Sequence, residues 1–235
     1  MGVALGLVSC CNPAELLKKQ VPGASSATGS SFPVAAPVAP VQSGVIAAPS
    51  TAVPLPFAAG QWTRYTIKRP KEAPSTLVFK VISTEGDAHW FEVEAGKPGQ
   101  VAVIQFLLAA KDRTEASSFE LREAKLKLPN GRVQVLRGAQ LAATRKMLDQ
   151  FLTRLRIPKF GTGPREDATV PAGTFKQCYV NQVEGTFFGV KTNAKVWNHP
   201  VVPISTMVRS VDSADGAEVL LDAYGSTGAE SVMGS

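Results

Sequence analysis

Three cysteines and two histidines are the residues of this 235-residue chain best suited to nucleophilic or metal chemistry. Cys10 and Cys11 adjoin near the start, Cys178 stands far downstream, and His89 and His199 are widely separated. None of these spacings matches a metal-ligand pattern, so no metal site is expected. Cys178 and His199 are the types of a thiol–imidazole couple. Yet Cys178 falls in an alternating strand pattern and His199 precedes Pro200, which predicts a buried thiol and a structural loop histidine. Glu92 and Glu94 share one strand face, as paired hydrolytic acids require, but beside turns they predict a solvated edge. Gly161-Thr-Gly163-Pro164 lacks the lysine and the strand-to-helix setting of a phosphate loop. The expectation is a protein with no catalytic residue and no cofactor, one that acts by binding.

Charge is distributed unevenly around a formal net of +6. Arg122 to Arg165 holds eleven Lys or Arg against two acids, Glu123 and Asp149. After Arg209 there is no basic residue and five acids follow: Asp212, Asp215, Glu218, Asp222 and Glu230. Arg145, Lys146 and Arg154 are the candidate surface for an anionic partner such as lipid headgroups, lipopolysaccharide or cell wall. An internal match, with the acidic C-terminal strands packed near the basic segment, accounts for the same pattern. Nucleic acid is not expected, since no stacking-aromatic motif accompanies the charge.

The elements that would position these residues read as strands first. Gln61–Lys68, Ser75–Thr84, His89–Ala95, Val101–Leu108, Phe119–Leu128 and Arg132–Leu136 alternate or run apolar between Gly, Pro, Asn and Asp turns. The period then changes. From Ala139 to Arg156, Leu141, Leu148, Phe151, Leu152 and Leu155 lie close on one helical face, with Arg145, Lys146 and Arg154 on the polar side. Strands resume at Thr174–Glu184, Thr186–Lys191, Ala194–Trp197, Ile204–Val211 and Glu218–Tyr224. One helix covering an antiparallel sheet is the α+β solution.

The N-terminus adds a location. Leu7-Val8-Ser9-Cys10 closes a short apolar run and resembles the lipobox of bacterial lipoproteins. That resemblance implies cleavage before Cys10, acylation of its thiol and amino group, and a membrane anchor made of those acyl chains. It also implies the outer membrane, facing the periplasm, because Cys11 rather than Asp follows the anchor. Residues 1–9 would be a truncated signal peptide, lacking the usual basic start, with the true start upstream. Residues 10–60, rich in Pro, Ala and Ser, read as a disordered spacer, and 61–235 as a β-rich globular domain. At about 3.1 Å per residue, some 45 extended residues reach on the order of 140 Å.

Val170-Pro-Ala-Gly-Thr-Phe175, Val196-Trp-Asn-His-Pro200, Val202-Pro203 and Leu221-Asp-Ala-Tyr-Gly225 together resemble the closing module of periplasmic and lipoprotein families. The folds of those families are similar to the Lol-type lipoprotein carriers. The resemblance implies an antiparallel sheet curved as an open half-barrel around one long helix. Two functions follow: an envelope binding or structural module docking to a protein, cell-wall or anionic-lipid partner, or a carrier of a lipid or other apolar ligand. A carrier requires an open apolar cavity. Large residues at Phe106, Phe119, Phe151 and Trp197 favour a filled core instead.

Overall fold

Alternating residues make strands, and strands make most of what is described of this protein. The computed structural model describes residues 44–127, 131–142, 160, 163–187 and 190–233. A short strand, β1 (Val45–Ile46), precedes an antiparallel meander of β2 (Trp62–Lys68), β3 (Ser75–Glu85), β4 (Ala88–Lys97), β5 (Gln100–Ala110), β6 (Phe119–Lys127) and β7 (Val133–Leu136). The second half holds β8 (Arg165–Val170), β9 (Gly173–Phe187), β10 (Val190–Asn198), β11 (Met207–Asp212) and β12 (Glu218–Gly225). All twelve form one sheet, ordered β1-β9-β10-β11-β12-β2-β3-β4-β5-β6-β7, with β8 pairing β9 off that path. The last strand pairs with β2, so chain end and meander start are neighbours. The parallel pairing of β1 with β9 makes the sheet mixed.

Tight turns hold the meander in register. Lys97 pairs with Gln100, leaving Pro98-Gly99 as a two-residue hairpin loop. Just before it, Gly96 adopts φ 155, and a Cβ there would collide with the Gln100 carbonyl. Leu77, Phe79 and Val81 of β3 face inward with Phe91 and Val93 of β4 and Ile104, Phe106 and Leu108 of β5. Phe91 and Phe106 stack at 5.6 Å between centroids. Burying each such side chain stabilises the fold by roughly 1.5–3 kcal/mol.

The expected α+β architecture does not hold. The described residues are nearly all β, in one large mixed and unclosed sheet, with no long helix among them. A 3-10 turn at Ala116–Ser118 and helical residues 138–142 are the only helix described. The rest of the predicted helix, residues 143–156, lies outside the described residues. The reason is in what covers the meander. Its inward face needs an apolar partner, and the sheet's own second half supplies one. Phe175, Cys178, Val202, Ile204, Val208, Leu221 and Tyr224 join the meander's inward residues in a single apolar cluster.

The same cluster takes in part of the expected spacer. Ile46 and Phe57 pack against the core, and Phe57 meets Phe91 edge-on at 4.8 Å. The Thr174 amide donates to the Gly44 carbonyl at 2.9 Å. Gly44, Ile46 and Phe57 therefore tie this segment to the sheet.

Candidate functional site

Outward residues of the meander carry the polar chemistry. On β4, Glu92 and Glu94 point away from the apolar cluster, as their shared strand face predicts. They are not a solvated edge: Glu92 is 0% exposed and Glu94 4%. Lys80, opposite Glu92 on β3, is also buried and places its Nζ 3.0 Å from Glu92 Oε1 while also pairing with Glu94. Gln105 of β5 donates to Glu92 Oε2 at 2.9 Å.

What buries these charges is the chain beyond β12. Residues 226–233 run as a strap across the outward face. Trp62 Nε1 donates to the Thr227 carbonyl at 3.1 Å, and Lys80 Nζ to the Glu230 carbonyl at 2.8 Å. Ser231 Oγ donates to Glu92 Oε2 at 2.7 Å, and the Val232 amide reaches Glu92 Oε1 at 3.1 Å. Lys127 of β6 then donates to the Val232 carbonyl, and Met233 is buried. The strap's start depends on Gly225, where a Cβ would run into the Trp62 indole.

Beside the strap lies a groove of about 610 Å³. Its floor is the outward face of β2 to β5, with Arg64, Thr66, Thr76, Val78, Glu94 and Val101. Its walls are Lys97-Pro98, Pro171 and Asp222. Asp222 sits at a bulge where the β12–β2 register shifts between Leu221 and Ala223. Such an extra residue re-aims a side chain, and the Leu221 carbonyl next to it accepts the Ala172 amide at 3.1 Å. Thr66 Oγ1 donates to Asp222 Oδ2 at 2.6 Å. Burial pushes the Asp222 carboxyl above its ordinary range; the Thr66 hydroxyl and the charges of Arg64 and Lys68 oppose that only in part. Lys97 stands 3.5 Å from Glu72. Arg64, half-buried, has no hydrogen bond or ion pair with any described residue.

The residues singled out from sequence fare differently. Cys10, Arg145, Lys146 and Arg154 lie outside the described residues. Cys178 and His199 are both buried but do not form a reactive couple. Burial pushes the Cys178 thiol up to about 12, and its Sγ points at the Phe175 carbonyl, 3.6 Å away. Both His199 nitrogens are engaged by backbone. The Val201 amide lies 3.3 Å from Nδ1, so the proton sits on Nε2, 3.1 Å from the Ala47 carbonyl. His89 rests against Phe57 and Phe91.

Several described basic residues between Arg122 and Arg165 also have partners. Arg122 is held by Asp87 at 2.7 Å and by Glu120, and Arg137 by Glu123. Lys125 lies over the Trp90 ring at 3.9 Å, and Arg165 donates to the Tyr179 hydroxyl at 2.7 Å. Of the acids after Arg209, two form ion pairs with described residues outside that segment, Glu218 with Arg209 and Asp215 with Arg69.

Sequence reasoning missed Arg64 and Asp222. The available signal was Leu220-Leu221-Asp222-Ala223, an acid breaking an apolar strand, which is where a bulge would be sought.

No protein-family model matches the chain, and no curated protein does. Among solved structures, the chain is similar to a candidate exported protein of Bacteroides fragilis with a YmcC-like fold. The identity is 11% and the TM-score 0.35, over 74% of this chain and 100% of that one.

Proposed function

We propose that this chain is an exported envelope protein, held at the periplasmic face of a bacterial outer membrane through acylated Cys10, that works by binding rather than by catalysis. The anchoring half rests on Leu7-Val8-Ser9-Cys10 and the Pro- and Ala-rich residues that follow. The binding half rests on one observation: a groove on the sheet's outward face holds a half-buried arginine, Arg64, that makes no hydrogen bond or close ion pair with a described residue. A guanidinium keeps five donors and a permanent charge, so a half-buried one without acceptors is poised for a ligand. The carrier alternative has less support. The space between the inward faces is occupied by Phe79, Phe91, Phe106, Phe175 and Leu221, all buried, where a carried acyl chain would have to lie. Arg145, Lys146 and Arg154 remain the proposed contacts to an anionic envelope surface.

The groove is tested apart from the anchor. In a Cys10→Ser background, which removes acylation, the full chain is mixed with purified bacterial envelope fragments and sedimented. The Cys10→Ser protein is expected to co-sediment, and adding Arg64→Glu is expected to lower the fraction that does, the remainder being held by Arg145, Lys146 and Arg154. Equal sedimentation of both, or of neither, would contradict a binding role for the groove.

A further inference from the structure

Two of the four charges that line the groove are compensated by the protein itself. Lys80 neutralises Glu94 from beneath, and Glu72 stands 3.5 Å from Lys97. Two charges of opposite sign are left over. Arg64 has neither hydrogen bond nor ion pair among the described residues and reaches Asp222 only through space, and Asp222 has one carboxylate oxygen held by Thr66 while no described hydrogen-bond partner takes the other. The two are neighbours. Arg64 is in register with Ala223, the residue after Asp222. Thr66, which holds Asp222, is two residues along the same strand face, about 7 Å away at the rise of a strand.

We infer that the groove takes a small zwitterion of the amino-acid or dipeptide class, with its carboxylate on Arg64 and its ammonium on Asp222. This rests on the groove being the binding site proposed above and names its ligand. The charge balance selects the class. A ligand with only negative charge would meet the Asp222 carboxylate, and one with only positive charge would meet the Arg64 guanidinium. A ligand with one charge of each sign leaves neither protein charge unpaired. The guanidinium fork matches the two oxygens of a carboxylate, and a carboxylate with a free oxygen accepts from an ammonium. Val78, Val101 and Pro171 add apolar surface, which suits a short aliphatic side group.

Calorimetric titration of the full chain tests this with four probes: alanylalanine, its N-acetyl form, its C-terminal amide, and inorganic phosphate. Alanylalanine is expected to bind, and each capped form to bind about tenfold more weakly or worse, the loss of one hydrogen-bonded charge. Arg64→Gln and Asp222→Asn are each expected to weaken alanylalanine by a similar factor. Both variants should melt as the parent does, and Lys71→Gln, on an exposed turn, should bind normally. Phosphate or a capped dipeptide binding as well as alanylalanine, still dependent on Arg64, would end the zwitterion assignment and leave the groove a binding site. Absence of any Arg64-dependent binding would end both.

Discussion

At the scale of single residues, burial decides which groups are chemically available. His199 is packed against Phe175, and burial pushes its imidazole below the ordinary 6.5, with the Ala47 carbonyl opposing in part. Burial moves His89 the same way. A lowered folded value means the unfolded chain takes the proton first as pH falls. The stability these histidines contribute is therefore complete above about pH 6.5 and declines as pH drops through that value toward the folded one. Asp222, raised by burial, acts in the opposite sense and only in the carboxylate range. Proton NMR of the imidazoles should show both histidines titrating below 6.5, with a falling melting midpoint from about pH 8 to about pH 5; a His199 titration at or above 6.5 would refute this. Lys80 gives a second expectation. Removing one partner from a buried ionic cluster costs about 3–5 kcal/mol, so Lys80→Met should lower unfolding stability by that order. Lys176→Met, which removes an exposed pair with Asp167, should leave stability almost unchanged. Similar losses in the two variants would mean that Lys80 is not the buried hub its contacts describe. The faces of β3 and β4 were legible from alternation alone, down to Lys80, Glu92 and Glu94 pointing outward. That this outward face is buried was not legible, because the cover comes from residues more than a hundred positions away.

At the scale of elements, the strap is the feature local sequence rules cannot foresee. Residues 226–233 have no period, and their role comes from side chains on five strands: Trp62, Lys80, Glu92, Gln105 and Lys127. Hydrogen bonds to charged groups contribute about 1.5–3 kcal/mol each. A chain ended after Gly225 should thus lose at least about 2 kcal/mol, read by denaturant unfolding, and in the intact chain the Val232 amide should exchange slowly. A truncated chain as stable as the whole would show that the strap does not hold the outward face. Strands with clear alternation and turn residues were placed well, as in β2 to β5. Others were not. Gly185 reads as a turn, yet β9 runs on to Phe187, because its antiparallel partner β10 stays in register through Thr192. Arg165–Val170 lacks an apolar run and is not among the expected strands, but it pairs with β9 as β8. Ile204 to Thr206 reads as strand, yet Ile204 and Thr206 adopt φ 63 and 58 in a buried loop. Strain of roughly 1–3 kcal/mol at each such residue is opposed by local bonds. Tyr65 Oη donates to the Met207 carbonyl at 2.9 Å, Arg113 donates to the Ile204 carbonyl, and the His199 amide donates to the Thr206 carbonyl at 2.8 Å.

At the scale of the whole molecule, the sequence raised one question correctly and answered it wrongly. A meander with one apolar face must be covered. The helical period from Ala139 to Arg156 suggested a helix for that task, whereas among the described residues strands of the second half and the loop before β11 perform it, with Leu141 packed against the same cluster. Composition suggested a spacer to residue 60, but Phe57 and Ile46 bring its last part onto the core. The picture that results is a single β-sheet unit with a packed interior, a strapped outward face and a charged groove beside the strap. The proposed role adds a lipid anchor at Cys10, from which this unit would reach a ligand in the envelope. Anchoring is the claim on which that role turns, and the mass of the mature N-terminal peptide from the native protein tests it most directly. The account predicts a membrane-derived peptide that begins at Cys10 and carries acyl chains on its thiol and amino group. A native protein in the aqueous fraction, with Cys10 unmodified and residues still preceding it, would contradict the account.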